Sequence, residues 1–534
     1  MKQTKQTGVA LILTVILLLI LSVMAVSLIF LAQSETWSSL SYRLMDQARD
    51  VAEAGIDGTA NYLQYSYTPP ASSGLDPVSN YNLSPTTVSY SVNGNPVPYP
   101  ITVTYNNSPV ILSTNSNVSS NYPSSTAVSN FRASNSNTTG SLAAGNTAIS
   151  YSTYAVLLNM RTVTIDLLSG SPTPVQATLQ TWLITSDATV SGSPNAQVEL
   201  SAILEREVTP AFNYAAFAVS QGCSALQFGG GGKTDSYDSS VYAATGILTI
   251  SMSGGNVGTN GNLTTKGSPT TIGGSLSTPR TGVGTCSTSN VTAWQDNGGT
   301  VTGGLTQLPQ SVAFPTPIIP APGTTNLDMG TGWNCPTGAN AISTANGYQG
   351  NCATSGNDYY LPPGNYGDIK LNGKAVVHLS PGQYNINSFQ EAGANTGLII
   401  DQSPCSSPCV VGIDPSPGNG PVILNVTGNS VTGSVVDLTG NSVQNPTLIP
   451  TLFQMMYAGT GTVSLKGGTG ASGLMYAPKA SYSFNSAGGN WYGAVVGQTM
   501  TDMGGATINY DRNLQNQYFI IGNYMLSSFT WKKY

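Results

Sequence analysis

The chain has 534 residues, of which only 17 are Lys or Arg and 23 Asp or Glu, with a net charge of −6. That 7% of charged residues compares with about 25% in ordinary soluble domains. With an isoelectric point near 4.7 and no basic cluster to neutralise phosphates, nucleic acid is excluded as a partner. A hydrophobic content of 40% excludes disorder of the charged kind.

From Val9 to Ala32 no charge occurs, and Lys2 and Lys5 precede the run. As a helix it spans about 36 Å, enough to cross a hydrocarbon core of about 30 Å. The basic flank predicts a cytoplasmic N-terminus with the bulk of the chain on the other side. A cleavable secretory signal is the competing reading, but its apolar core is shorter and a small-residue cleavage site follows it. Leu40, Leu44, Ala48, Val51 and Ala54/Gly55 continue at helical spacing. One helix is therefore expected from about Leu11 to Tyr65, half in the membrane and half a stalk.

These residues resemble a known family. Lys5-Gln6-Thr7-Gly8-Val9-Ala10-Leu11-Ile12 is similar to a class III prepilin start, a short basic leader ending in Gly before an apolar helix. Ala48 and Val51-Ala52-Glu53-Ala54-Gly55-Ile56 resemble the Ala-Glu-Ala-Gly motif of the PilX-type minor pilin N-terminal family. The resemblance covers about residues 1–65. It implies cleavage by prepilin peptidase after Gly8, methylation of Val9, an inner-membrane intermediate and assembly with other pilins or pseudopilins. Major pilins carry Glu at the fifth mature position, where this chain has Leu13.

The organisation expected from this start is a leader (1–8), a transmembrane helix (9–32) and a stalk helix (33–66). A hairpin and a Ser/Asn/Thr-rich linker (67–150) follow, the hairpin formed by Val88–Val92 and Ile101–Tyr105 around an Asn93-Gly94-Asn95-Pro96 turn. Runs over 155–168, 175–185 and 196–208 read as antiparallel strands, the last alternating Ala196, Val198, Leu200, Ala202 and Leu204 with polar residues. Helix plus sheet over 151–210 suits the small α+β head that the family implies.

Beyond Pro210 short apolar runs alternate with Gly, Asn, Ser or Pro. Leu361-Pro362-Pro363-Gly364-Asn365-Tyr366 returns as Leu379-Ser380-Pro381-Gly382-Gln383-Tyr384, an offset of 18 residues. That offset fits one coil of a β-solenoid, a right-handed parallel β-helix-like fold, with Gly at corners and Tyr or Ile stacked inward. A Gly-rich β-sandwich with two similar turns is the competing fold. Residues 211–515 are thus expected as a mainly β, Gly-rich solenoid-like domain and 516–534 as a tail. Gly473–Ala480, Trp491–Gly497 and Ile508–Asp511, with Lys233–Ser240 earlier, resemble a C-terminal module of large PilX-like surface proteins. No catalysis is implied by it.

Six cysteines all lie beyond residue 220, as expected for disulfides in an oxidising space. Six allow 15 connectivities; sequence neighbours suggest Cys223–Cys286, Cys335–Cys352 and Cys405–Cys409. Zinc is disfavoured because the chain has one His, His378, and no CxxC pair. Gly229–Gly232 before Lys233-Thr234 fails as a phosphate loop: Gln227 stands where a Gly is required, and no amphipathic helix begins after it. The acids are scattered. The pair Asp235/Asp238 reads as turn capping or, more weakly, as calcium ligands. His378 lies in a strand-like run, Ala375–Leu379, and reads as structural, so no nucleophile–base pair can be nominated and no cofactor is expected. The function expected is a minor-pilin-like surface protein for type IV pilus or related filament assembly, displaying its β domain at the tip for attachment to surfaces, carbohydrate among them. A membrane-anchored polysaccharide-processing β-helix enzyme and a static envelope anchor are the competing functions.

Overall fold

The computed structural model describes all residues except 1–6, 71–73, 75, 93–94, 136–147, 166–174, 192–194, 268, 394, 403–419, 442, 485–488, 503 and 534. It divides into two compact units. Unit 1 comprises residues 1–163, 176–207 and 523–534, and unit 2 residues 164–175 and 208–522.

Unit 1 begins with α1, Thr7–Asn61. Its first half is a run of Leu, Ile and Val without Pro or Gly after Gly8, and its second half is amphipathic. Residues Leu44, Ala48, Ala52, Ile56 and Leu63 form one buried stripe. The helix passes into a single π-helical turn, Tyr62–Ser66, closed by the Tyr67 amide donating to the Tyr62 carbonyl, just before Pro69-Pro70, which cannot continue it.

The hairpin β1 (Asn82–Val92) and β2 (Asn95–Tyr105) is longer than the alternating runs suggested. It forms a three-stranded sheet with β3, Ser108–Pro109. The stretch expected as linker carries β4 (Ile111–Ser113) and α2 (Ser125–Ser134). Ser124 caps α2 by accepting from the Ala127 amide, and Phe131 anchors it in the core.

The main sheet of unit 1 contains β5 (Ala148–Ile165), β6 (Val175–Ser191) and β7 (Ala196–Pro210). Residues 516–534 are not a tail: Phe519–Lys533 is a strand that joins this sheet beside β7. The sheet order is C-terminal strand, β7, β6, β5, β4. Alternation sorts the faces. Trp182, Ile184, Ala188, Leu200, Ala202 and Leu204 pack in one core with the α1 stripe, whereas Ile111, Tyr154 and Val156 pack in a second cluster with Val118.

Unit 2 is built on parallel pairing. A 22-stranded sheet and a five-stranded sheet are present among the described residues. In the smaller sheet Asp358–Leu361 pairs with Val376–Leu379 in the register Leu361↔Leu379, the 18-residue offset of the sequence repeat. In the larger sheet the neighbouring register is Gly364↔Tyr384. The repeated tyrosines Tyr366 and Tyr384 are buried and stacked, with centroids 6.2 Å apart and rings 15° from parallel. Each hydroxyl donates to the carbonyl four residues before it, Tyr366 to Pro362 and Tyr384 to Ser380. At the preceding Pro-Gly corner Gly382 has φ +143°, and a Cβ there would lie 2.4 Å from Cγ of Pro363, so only Gly fits.

The long strands Ser472–Phe484 and Asn490–Asp502 pair in parallel, and the second pairs with Ala216–Ala218 as well. The strand Thr507–Asp511 pairs with Lys233–Tyr237. The first and last parts of the unit thus share one sheet. Cys223–Cys286 and Cys335–Cys352 are disulfide-bonded; Cys405 and Cys409 lie outside the described residues.

Candidate anchoring and assembly site

The largest exposed apolar surface among the described residues is the first half of α1. The large apolar side chains from Leu11 to Leu31 are each 50–69% exposed, Leu13 at 63% among them. The candidate membrane span within Ala10–Ser66 has a mean hydropathy of 3.1, and none of it is buried inside the protein. Its few hydroxyls are internally satisfied. Thr14 donates to the Leu11 carbonyl, Ser22 to Leu19, Ser27 to Val23 and Thr36 to Ala32, each at 2.8 Å. In hydrocarbon an unpaired hydroxyl is costly, so these bonds let the surface present only carbon. Gly8 and Val9 lie in the first turn of α1, and most of the leader lies outside the described residues.

The motif Ala52-Glu53-Ala54-Gly55 is a packing device. Ala52 and Gly55 are buried, and Ala54 is exposed. A Cβ at Gly55 would stand 2.3 Å from Ser186 Oγ, 2.9 Å from Tyr151 Cδ2 and 3.0 Å from Thr153 Cγ2. The helix can therefore lie on β5 and β6 this closely only with Gly at that place. Glu53 accepts from the Arg49 guanidinium at 3.0 Å, with both side chains about half exposed. Such a surface pair contributes a few tenths of a kcal/mol. The acid of the motif is thus solvent-facing, and its small residues carry the structure.

Beyond the end of α1 a buried polar chain ties the turn to the sheet. Trp182 Nε1 donates to Gln180 Oε1, Gln180 Nε2 donates to the Tyr67 hydroxyl, and Tyr67 and Tyr122 share a 2.8 Å hydroxyl contact. Tyr122 and Tyr81 both donate to the Asp76 carboxylate at 2.9–3.0 Å. Burial pushes the Tyr81 and Tyr122 phenols well above their ordinary range, so they stay neutral donors. A cavity of about 580 Å³ lined by Tyr62, Tyr67, Asp76 and Asn130 lies beside them.

Several titratable groups of unit 2 are engaged in structure. Asp238 caps the short helix α3 (Ser239–Thr245), accepting from the amides of Ser240 and Val241 at 3.0 and 3.3 Å. These bonds, the Ser240 hydroxyl first, lower its pKa. Asp235 is shifted up by burial, with Lys233 opposing. No group of three or more His, Cys, Asp or Glu is placed to hold a metal ion among the described residues. His378 is fully buried, with Nδ1 3.1 Å from Asp401, Nε2 3.8 Å from Asp358, and its ring stacked on Tyr360 at 4.4 Å.

Reading the sequence missed two buried acids here. Glu391 accepts from the Gly440 amide at 2.8 Å, and burial pushes its carboxyl up to about 8. Asp502, beneath the Gly229–Gly232 loop, is pushed up to about 7 by burial. A lone acid inside an apolar strand, as in Phe389-Gln390-Glu391, was the available signal. Tyr360, Tyr476, Tyr482 and Tyr510 are buried core residues.

Residues 7–57 match the family described as PilX N-terminal, and residues 369–517 match a domain of unknown function, DUF7305. No curated protein sequence matches the chain. Among solved structures, the competence-associated pilin ComZ from Thermus thermophilus matches over 71% of this chain and 88% of that one. Identity is 11% and the TM-score 0.22, too low to show a shared fold. The start of the chain is thus a PilX-type pilin N-terminal region. It carries an apolar helix of the kind that anchors pilins in a membrane, and it points to a pilus-related chain that interacts with other pilins.

Proposed function

We propose that the chain is a minor-pilin-like subunit of a type IV pilus or related filament. In this reading prepilin peptidase cuts after Gly8, Val9 is methylated, and the apolar half of α1 holds the protein in inner-membrane lipid with the bulk of the chain on the extracytoplasmic side. The subunit then joins other pilins and displays unit 2 at the filament tip for attachment, surface carbohydrate being one class of target. The observation that carries the proposal is the continuity of α1: a bare apolar half runs without a break into a half seated on a sheet through the Ala-Glu-Ala-Gly residues. Unit 2 is read as a β-solenoid, supported by in-register parallel pairs offset by 18 residues and by stacked equivalent tyrosines. No catalytic role is assigned.

A static envelope anchor is favoured by Leu13, which offers no carboxylate to neutralise the N-terminal ammonium of a neighbouring subunit inside an apolar bundle. The same residue suits a tip subunit, which needs no such neighbour in repeated addition. Gold-labelling of unit 2 on sheared filaments separates these. Label confined to filament ends is expected; regular labelling along the shaft refutes the tip, and label confined to membranes refutes assembly.

A further inference from the structure

The hairpin of unit 1 has one edge closed to further strand pairing and one edge open. In an antiparallel ladder each residue turns both backbone groups either to its partner strand or away, in alternation. The register pairs Val88 with Tyr99, Tyr90 with Val97 and Val92 with Asn95, and sets Ser89 and Ser91 opposite Pro98 and Pro96. Proline has no N–H to donate, so Pro96 and Pro98 occupy positions that face away from β1. Pro100 follows at the same parity. The outer edge of β2 therefore lacks three successive donors, a device that blocks strand addition.

The outer edge of β1 carries no such block over its distal half. Its outward positions over this stretch are Ser89 and Ser91, whose amides and carbonyls face away from β2 with no strand paired to them among the described residues, bounded on the near side by the register irregularity before Val88 and by Pro85. β1 is the terminal strand of its sheet among the described residues. No Lys, Arg, Asp or Glu occurs between Asp76 and Arg132, so none of the charges that ordinarily protect an edge is present.

We propose that this edge pairs with the same edge of a second copy of the chain, β1 against β1 in antiparallel register, to give a continuous β2–β1–β1–β2 sheet. Two features select a second copy as the occupant. The segment is uncharged, so self-pairing brings no like charges together. The prolines also leave each hairpin a single open edge, so pairing closes at two copies and cannot run on into a fibre. The surface is isologous, with Ser89 near the two-fold axis.

The test uses the full chain in detergent, examined by sedimentation across a range of concentrations. Wild type is expected to be a dimer. Ser89→Pro places a proline at an outward position of β1, as Pro98 already stands on β2, and is expected to weaken self-association about tenfold or more, equivalent to the loss of one or two net hydrogen bonds. Pro98→Thr opens the second edge and is expected to give species larger than dimers. Ser89→Cys should form a disulfide-linked dimer under mild oxidation, since paired Cα atoms about 5.5 Å apart lie within disulfide range. Far-ultraviolet circular dichroism shows whether each variant is folded. A wild type that stays monomeric, or a dimer unchanged by Ser89→Pro and unlinked by Ser89→Cys, overturns the proposal. So does capture of the edge by another pilin in place of self-pairing.

Discussion

Gly55 tests whether the pilin-type motif is a packing device. In Gly55→Ala the new methyl meets Ser186 Oγ at 2.3 Å and the Tyr151 and Thr153 side chains at 2.9 and 3.0 Å, so α1 or the sheet must move. Overpacking of this kind costs about 1–3 kcal/mol. Helix propensity returns about 1 kcal/mol, leaving a net loss of about 1 kcal/mol. Gly58 provides the control. Its nearest neighbour would be Asn135 Oδ1 at 3.4 Å, so the propensity gain stands almost alone and Gly58→Ala is expected to stabilise. Ser186 Oγ is the first obstructing atom and is buried without a hydrogen-bond partner among the described residues. Ser186→Ala alone should therefore be neutral or stabilising, and in combination it should restore about 1 kcal/mol to Gly55→Ala. Two units make global unfolding a poor reporter. Hydrogen exchange of the α1 and β6 peptides in the intact chain reads local opening instead. Gly55→Ala should speed exchange there about fivefold, the factor that corresponds to about 1 kcal/mol. If Gly55→Ala protects these peptides as well as Gly58→Ala does, the close approach is not rigid and the account of the motif fails.

Mature protein from filaments should begin at N-methylated Val9, read by intact mass, and Gly8→Glu should leave the leader attached; an intact Met1 form in the mature pool would count against processing. Thiol titration of the unreduced chain should find Cys223, Cys286, Cys335 and Cys352 unreactive, and replacing the Cys335–Cys352 pair, with its sequence separation of 17, should cost about 3 kcal/mol in a denaturant titration of unit 2. Unit 2 should lose stability as pH rises. Burial raises the Glu391 carboxyl from 4.5 to about 8, so between those values the folded state binds more protons than the unfolded state. The stabilisation is complete below about pH 4.5 and is lost as pH passes 8. Glu391→Gln, which keeps an acceptor for the Gly440 amide, should flatten this slope in thermal melts at pH 5 to 8, and an unchanged slope would assign it to other groups.

The helix, its motif and the three long strands were legible because each is written locally, in apolar spacing or alternation. The repeat at Leu361 and Leu379 was legible because equivalent residues pair in register and their tyrosines bond to equivalent carbonyls. Helix α2 was missed since Ser125–Ser134 has one buried anchor, Phe131, and so no apolar period. The partner of His378 could not be read because Asp401 lies 23 residues away and is brought in by the ladder. The strand Phe519–Lys533 reads as apolar, but nothing local says that its neighbour is β7.

That last pairing sets an order of events during synthesis. The strand that completes the unit 1 sheet is made about 300 residues after β7, a wait of roughly 15–60 s at ordinary rates of elongation. Through that interval β7 is a sheet margin without its neighbour, the condition in which nascent chains misassociate. A chain cut short after β7 and before Phe519 also lacks the strand beside β7, so a premature stop leaves the sheet of the first unit made with an open edge. Completion of the unit 1 sheet thereby waits on synthesis of the whole of unit 2.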